Sequence, residues 1–321
     1  MTFTVVGQIN QFLSSYGTLV PKKLKNPSAL KHYKAVSPST SMECPFVFIH
    51  SGATYFPSYV NTCIKQIRTW NPDASIVFIA NNAHKEQVTE SCVFIPLETI
   101  PVSEKRSVFQ SRSSFEGSFW RCTLERLLIL QDYLDMSGVN ECVHLENDTM
   151  VYFSLENMLP LLRQEYKGLA APYLGKGEMT FSILYVKQSL ILSEMTSFIL
   201  RMSHTSDNEM RLGCRYFLEN SRRAGFLPIV SDECEIRDDD YYFATSHGAA
   251  FRGVWDAAPY GQFLAESGFV NKTSAFASDQ FTYEWRTYDD GLKHPRAHRH
   301  GHSWPIYILK VHYNKLEEFA S

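Results

Sequence analysis

Short, unbroken apolar runs alternate with amphipathic stretches of helical period through the first half of this chain. That alternation limits the fold more than any other feature. Phe46-Val47-Phe48-Ile49 is a continuous apolar run, suited to a strand buried on both faces. A helix is predicted from Pro57 to Trp70, with proline in its first turn and Val60, Cys63, Ile64 and Ile67 as its buried stripe. Ser75 to Ala80 is a second strand, ended by Asn81-Asn82, and a polar helix runs on to Ser91. Cys92 to Pro96 is a third strand. A loop of about 20 residues, rich in Ser and Arg, follows it, and loops of that length usually serve a function. Ser118 to Leu134 is a strong helix with Leu124, Leu127, Leu128, Leu130 and Leu134 apolar. Strands alternating with helices imply βαβ units, hence an α/β fold with a mostly parallel sheet flanked by helices.

The next strand carries the chemistry. Val143 to Tyr152 reads Val-His-Leu-Glu-Asn-Asp-Thr-Met-Val-Tyr. An apolar run climbs to two acids, Glu146 and Asp148, and apolar residues then resume. At i, i+2 on a strand the two carboxylates share a face. Such a pair can hold a hard divalent cation, Mn2+ or Mg2+, which takes oxygen ligands and keeps positions open for phosphate oxygens. A solvated turn is the plainer alternative, because Asn and Asp favour turns. In a parallel sheet, however, ligands bind at the carboxyl ends of the strands. His50-Ser51, Asn81-Asn82 and the acidic pair all stand at such ends.

The second half is looser. Leu155 to Leu162 reads as a short helix, Met179 to Val186 as a strand, and Ser189–His204 and Asp207–Ala224 as helices. Asp207 is a good N-cap and Glu209 suits the first turn of the second of these helices. Beyond residue 225 Gly, Pro, aromatic and charged residues mix, with Ile306 to Val311 an isolated apolar segment. The run from His294 to His302 alternates His with Arg, which is poor spacing for zinc. It reads as an exposed loop, with a basic lid over a phosphate as the functional alternative.

Residues 1–43 read as an appendage: Val5, Ile9, Phe12, Leu13 and Tyr16 recur at helical spacing, ahead of Lys22, Lys23, Lys25, Lys31 and Lys34. An apolar face beside lysines can dock peripherally on an anionic membrane, but packing on the domain with a solvated lysine loop is the expectation. No secretory signal and no membrane-length apolar run is present in the sequence. Seven cysteines are scattered singly with no CxxC, the usage of a cytoplasmic protein with reduced thiols. The sequons at Asn147 and Asn271 read as chance, the first because a glycan there would block the acidic pair. At 321 residues and 44% apolar the chain can bury a large core, and a net charge of -3 argues against a nucleic-acid partner.

With these residues in place, the chain resembles glycosyltransferases of the GT-A fold, which use nucleoside-diphospho-sugars. Glu146-Asn147-Asp148 stands where that family carries its DxD motif, as ExD. The resemblance implies Asp148 as metal ligand and Glu146 as ligand or as a contact to ribose or sugar. Phe119 to Arg126 is similar to the helix before that motif, which places Arg126 near the nucleotide. Phe251 to Phe263 resembles a segment of the type FDaaaiGQYlgG, implying polar roles at the sugar or acceptor for Asp256 and Gln262. Ile308 to Lys315 resembles a C-terminal LHIHSK segment, implying that His312 completes the metal shell. Imidazole is an acceptable ligand for Mn2+. Inverting members place an acid at a helix start as the base, which Asp207 or Glu209 matches.

The resemblance covers residues 44 to 318 and fixes the superfamily rather than a family. It implies one Rossmann-type GT-A-like domain over 44–321, with 44–152 binding nucleotide and 153–321, including an irregular C-terminal region, facing the acceptor. His50, Ser51, Tyr55, Asn81 and Arg126 would surround the nucleotide. The implied activity is metal-dependent transfer from a nucleoside-diphosphate sugar to a hydroxyl of a glycan or glycoconjugate. Two alternatives stand beside it, a sugar nucleotidyltransferase and a catalytically silent binding module. Against the first, residues 50 to 55 after the first strand hold one Gly and no Lys or Arg.

Overall fold

A computed structural model describes residues 44–51, 55–111, 118–202, 207–231, 241–245, 247–258, 260–261, 282–287, 291–299 and 301–311. The appendage expected over 1–43 lies outside these residues, as do Gln262 and His312.

The elements follow the predicted alternation through the first half. They are β1 (Phe46–Ile49), α1 (Tyr59–Trp70), β2 (Ile76–Ala80), β3 (Val93–Pro96), α2 (Glu104–Ser111), α3 (Ser118–Ser137), β4 (Cys142–Leu145) and β5 (Thr149–Val151). Then come α4 (Leu155–Glu165), β6 (Leu169–Gly175), β7 (Glu178–Met179), β8 (Ile183–Val186), α5 (Ser189–Met202), α6 (Glu209–Glu219) and β9 (Ala224–Leu227). The remainder is α7 (Tyr241–Thr245), α8 (Gly248–Phe251), β10 (Thr282–Thr287), β11 (Lys293–Arg299), β12 (His302–Pro305) and β13 (Ile308–Lys310).

Among the described residues the main sheet is 8-stranded, in the order β3-β2-β1-β4-β8-β6-β7, with β9 also on β6. β1 pairs in parallel with β2 and β4, β2 with β3, and β6 with β9. β8 runs antiparallel to both β4 and β6. The sheet is therefore mixed, its parallel part formed by the first four strands and helices covering both faces. Strand side chains alternate between two cores. Phe46, Phe48, Ile76 and Phe78 join one cluster with the α1 stripe Val60, Cys63, Ile64 and Ile67. Val47, Ile49, Val77 and Ile79 join the other with Leu124, Leu127 and Leu128 of α3 and Leu192 and Met195 of α5. Burial on both faces explains the unbroken apolar runs.

Several expectations change. The long loop after β3 contains α2, anchored by a buried Arg106–Asp132 ion pair at 3.1 Å. The polar helix after β2 is a 3-10 segment, Asn82–Gln87. Met179 to Val186 divides into β7 and β8. β6, read through as a gap, is a fully buried strand despite Pro172. Its pairing with β8 ends at Ala170, and the Pro172 carbonyl accepts the Thr180 N–H at 3.1 Å. The His/Arg run is β11 turning into β12, with His294 buried against Trp70 at 5.3 Å rather than in an exposed loop.

A second, 2-stranded sheet sets the site. β13 pairs antiparallel with β5, Lys310 opposite Thr149. Gln66 Nε2 of α1 donates to the Val151 carbonyl at 3.1 Å, and Asn71 Nδ2 donates to that of Phe153 at 2.9 Å, so β5 is strapped to α1. From the other side the buried Asp256 carboxylate accepts backbone N–H groups of Tyr260 at 3.0 Å, Gly261 at 2.8 Å and Lys310 at 2.9 Å. A Cβ on Gly261 would stand 2.2 Å from the Lys310 carbonyl oxygen, a backbone atom with no rotamer to escape by. Gly261→Ala is therefore expected to cost about 1–3 kcal/mol in thermal or denaturant unfolding by forcing β13 outward.

Candidate active site

Because β1 to β4 run parallel, their carboxyl ends share one edge. His50, Asn81 and Glu146 each follow the last residue of a strand there. Glu146 to Thr149 forms a tight turn: Thr149 N–H donates to the Glu146 carbonyl at 3.1 Å. The Ser182 carbonyl accepts the Glu146 N–H at 3.1 Å and the Thr149 hydroxyl at 3.0 Å. Val311 N–H donates to the Asp148 carbonyl at 3.1 Å, which extends the β13–β5 ladder onto the turn. The acids thus sit in a turn after β4, and the shared strand face expected of them does not apply.

Their partners differ. Glu146 is buried and lies between two cations, Arg126 Nη2 at 2.5 Å and Lys310 Nζ in direct contact. Asp148 faces the Lys310 ammonium at 3.8 Å. Burial raises the Asp148 carboxyl to about 6; its own backbone N–H and Arg126 oppose the rise, and Asp256 adds to it. Burial also raises Asp256 to about 6 against its backbone donors. Lys310 is lowered to about 7 by burial and by Arg126, while the two carboxylates against it favour its charged form. His144, beneath the turn on β4, is lowered to about 3 by burial and by Arg126, so it is neutral and takes no part in the charge balance.

Glu209 is a buried acid in the half expected to face the acceptor. It opens α6, with a side-chain hydrogen bond to Thr123, and burial raises its carboxyl although Thr123 and Arg126 oppose this. Asn208, not Asp207, is the N-cap, its side chain accepting the Arg211 N–H at 3.0 Å. Asp207 stands one residue outside, facing Arg211 at 3.9 Å. Position decides the cap, not side-chain type: Asn208 immediately precedes Glu209, and its side-chain carbonyl reaches the third N–H of the helix. Asp256, expected to contact sugar or acceptor, is committed to backbone donors and anchors β13.

Of the residues expected around a nucleotide, Ser51 and Tyr55 lie beside His50. Asn147 Nδ2 lies 3.3 Å from His50 Nδ1, and His50 Nε2 lies 3.1 Å from the Tyr55 carbonyl. The consistent tautomer accepts from Asn147 at Nδ1 and donates to Tyr55 from Nε2. Burial lowers the His50 pKa, which favours that neutral form. Tyr55 is 66% exposed, its ring 6.4 Å from that of His50. Ser51 is half-buried beside His50, and the Asn81 carbonyl accepts the His84 N–H at 2.9 Å. Arg126 Nε, Asn147 Oδ1 and Glu209 Oε2 are buried with no hydrogen-bond partner. Buried polar atoms left open in this way mark a place where a ligand completes the set.

Arg126, Glu146 and Asp148 come together as expected, with Glu209 facing Arg126. Thr123, Asn147, Ser182 and Lys310 join them without having been singled out. Lys310 had a signal: it is the charged residue inside the apolar run Ile306 to Val311. Among the described residues no group of three or more His, Cys, Asp or Glu side chains could hold a metal ion.

No family pattern matches the chain, and no curated protein matches it. Solved structures do. Mouse xyloside xylosyltransferase 1 is similar at a TM-score of 0.43 and 8% identity, over 58% of this chain and 85% of that one. The galactosyltransferase LgtC, solved with donor and acceptor sugar analogs, gives 0.38 and 13%, over 57% and 73%. The glycosyltransferase GlyE of Streptococcus pneumoniae TIGR4 gives 0.39 and 16%, over 58% of this chain and 45% of that one. At these identities none of them assigns the chain to a family.

Asp148 supplies a sign-defined test. Its pKa rises on folding from 3.8 to about 6, so the folded state binds the proton more tightly than the unfolded. Its contribution to stability is fully present below about pH 4 and is lost as pH rises through about 6. Asp148→Asn, assayed without added metal, is expected to raise stability at pH 8 by about 1–2 kcal/mol and to flatten the decline between those pH values. Calorimetric melts across pH check this, and an unchanged profile would mean that Asp148 is not desolvated.

Proposed function

We propose that this chain transfers a sugar from a nucleoside-diphosphate sugar to an acceptor hydroxyl of a glycan or glycoconjugate. The observation that carries the reading is the acidic turn Glu146–Asp148 at the carboxyl edge of the parallel strands, faced by Arg126 and Lys310. Ligand sites of open α/β sheets form at this edge. Two half-buried cations beside it suit a diphosphate, Arg126 as a fork and Lys310 as a point charge.

Charge decides whether a divalent metal fits. Glu146, Asp148 and Glu209 face Arg126 or Lys310, and the charge of Asp256 is felt by Asp148, so fully ionised acids outnumber the cations before any diphosphate arrives. An anionic donor entering such a site needs additional positive charge. Mn2+ or Mg2+ fits that need on Asp148, with His312, one residue past Val311 in the sequence, as a further ligand. Glu146 fits less well as a ligand, because its oxygens are already matched to Arg126 and Lys310. When bound, the metal supplies Lewis-acid neutralisation of the departing diphosphate.

The chain's own groups do the rest. Arg126 holds Glu146 and leaves its Nε open toward the site. His50 fixes Asn147, whose Oδ1 stays free to accept a ribose or sugar hydroxyl. Glu209 is the described acid best placed to take the acceptor proton. Its carboxyl is pushed upward, toward the working range of a base near neutral pH, and its Oε2 is unpartnered. Gln262 on the sugar side, and peripheral membrane docking by residues 1–43, complete the proposal. Among the described residues no helix is long and apolar enough to cross a membrane.

A panel of nucleoside-diphosphate sugars with Mn2+, read by thermal shift and by donor hydrolysis, tests the reading. At least one donor is expected to stabilise the protein and to be hydrolysed slowly. Asp148→Ala should lower metal-dependent turnover by about two to four powers of ten, the scale of losing electrostatic stabilisation of a leaving group. Full metal-dependent turnover in Asp148→Ala sinks the assignment. No metal-linked binding of any nucleotide would make the chain a silent binding module.

A further inference from the structure

Lys310 is not explained by a conventional two-carboxylate metal site. Its side chain is 24% exposed, and its ammonium touches Glu146 and lies 3.8 Å from Asp148. It is delivered there by backbone alone. β13 pairs with β5 so that Lys310 stands opposite Thr149, the residue after Asp148. Its N–H is fixed by Asp256 at 2.9 Å, and the next N–H, that of Val311, by the Asp148 carbonyl at 3.1 Å. A long, flexible stem then carries the charge from a rigid anchor to the mouth of the acidic turn. Arg126, by contrast, is held inside, its guanidinium on Glu146 at 2.5 Å. Glu146 therefore keeps a cation if Lys310 leaves, whereas Asp148 loses the one cation the ion pairs place beside it.

We propose that Lys310 is the built-in counter-cation of the acidic turn: a divalent metal competes with it for Asp148, and the ammonium so released pairs with the donor diphosphate. The inference rests on the donor-site reading above and adds a second role to the same lysine. One cation guards the acids before donor arrives and serves the phosphate afterwards. The exchange balances overall and not step by step: the metal adds two positive charges, and the diphosphate of a nucleoside-diphosphate sugar brings two negative ones. Metal replaces ammonium on Asp148, and ammonium meets the charge that the diphosphate brings.

The two roles give effects of opposite sign, which a merely structural lysine would not. Wild type, Lys310→Met and Lys310→Arg are titrated with Mn2+ alone, read by loss of the free-ion spin signal. They are then titrated with uridine or guanosine diphosphate at saturating Mn2+, read by calorimetry. Removing a charge at this distance should tighten Mn2+ binding in Lys310→Met on the order of tenfold and weaken diphosphate binding on the order of tenfold. Lys310→Arg should return both toward wild type. The fold should survive, because the N–H bond to Asp256 needs no side chain; a melting curve checks this, and Lys310→Gln replaces the methionine variant if it does not fold. Both affinities unchanged, or both weakened together, overturns the exchange while leaving the donor site intact. A wild type that binds neither Mn2+ nor either diphosphate overturns the donor-site reading and this inference together.

Discussion

The structure is organised around an unfavourable act: the burial of carboxylates at one edge of a sheet. Asp148 and Asp256 both stand with their carboxyl pKa raised to about 6, and Glu209 is raised beside Arg126. Desolvation leads the cause in every case. A folded chain does not keep such groups for stability, since a desolvated charge with incomplete partners costs free energy. Asp256 has its oxygens filled by backbone donors, whereas Glu209 keeps an oxygen open that a ligand would complete. The open Nε of Arg126 and open Oε2 of Glu209 belong to the same account.

Holding those acids in place occupies much of the remaining architecture. The parallel strands bring β4 to the edge, and the antiparallel β8 returns Ser182 to receive both ends of the acidic turn. α1 straps β5 through Gln66 and Asn71, while the Asp256 loop presses β13 onto β5 from the other side. Asp256 is thus a structural carboxylate whose negative charge is also felt by Asp148. Remote chain segments, from residue 66 to residue 311, converge on one tight turn. A single Cβ at Gly261 would therefore press on β13 and, through it, on the turn.

The first half of the fold is legible because its strands are buried on both faces and write themselves as unbroken apolar runs. β6 is not, because Ala170, Ala171 and Pro172 carry little strand signal; its position comes from pairing between β8 and β9, which is tertiary information. The sheet of β10 to β12 was hidden for another reason. Its polar, half-exposed residues do not alternate cleanly, and only cross-strand pairs such as Glu284 with Arg296 set its register. At the candidate site, residue types pointed to Glu146 and Asp148, and the resemblance to GT-A enzymes pointed to Arg126 and Glu209. What the types could not show was direction. Asp256 looks like an acid for chemistry until its oxygens are seen filled by N–H groups, and Asp207 looks like a cap until Asn208 takes the bond.

The separation of Glu146 from Asp148 follows from the same geometry. Two acids at i, i+2 would be equivalent on a flat strand. A turn breaks that equivalence, because β4 ends at Leu145 and the intervening Asn147 reaches back to His50. Glu146 is left facing α3 and meets Arg126, whereas Asp148 is left beside β13 and meets Lys310. Glu146 is held by Arg126 whatever Lys310 does, whereas the ion pair of Asp148 is with Lys310. An ExD sequence tolerates this division well. The longer glutamate reaches a guanidinium on a neighbouring helix, and the shorter aspartate keeps its carboxylate close to the turn.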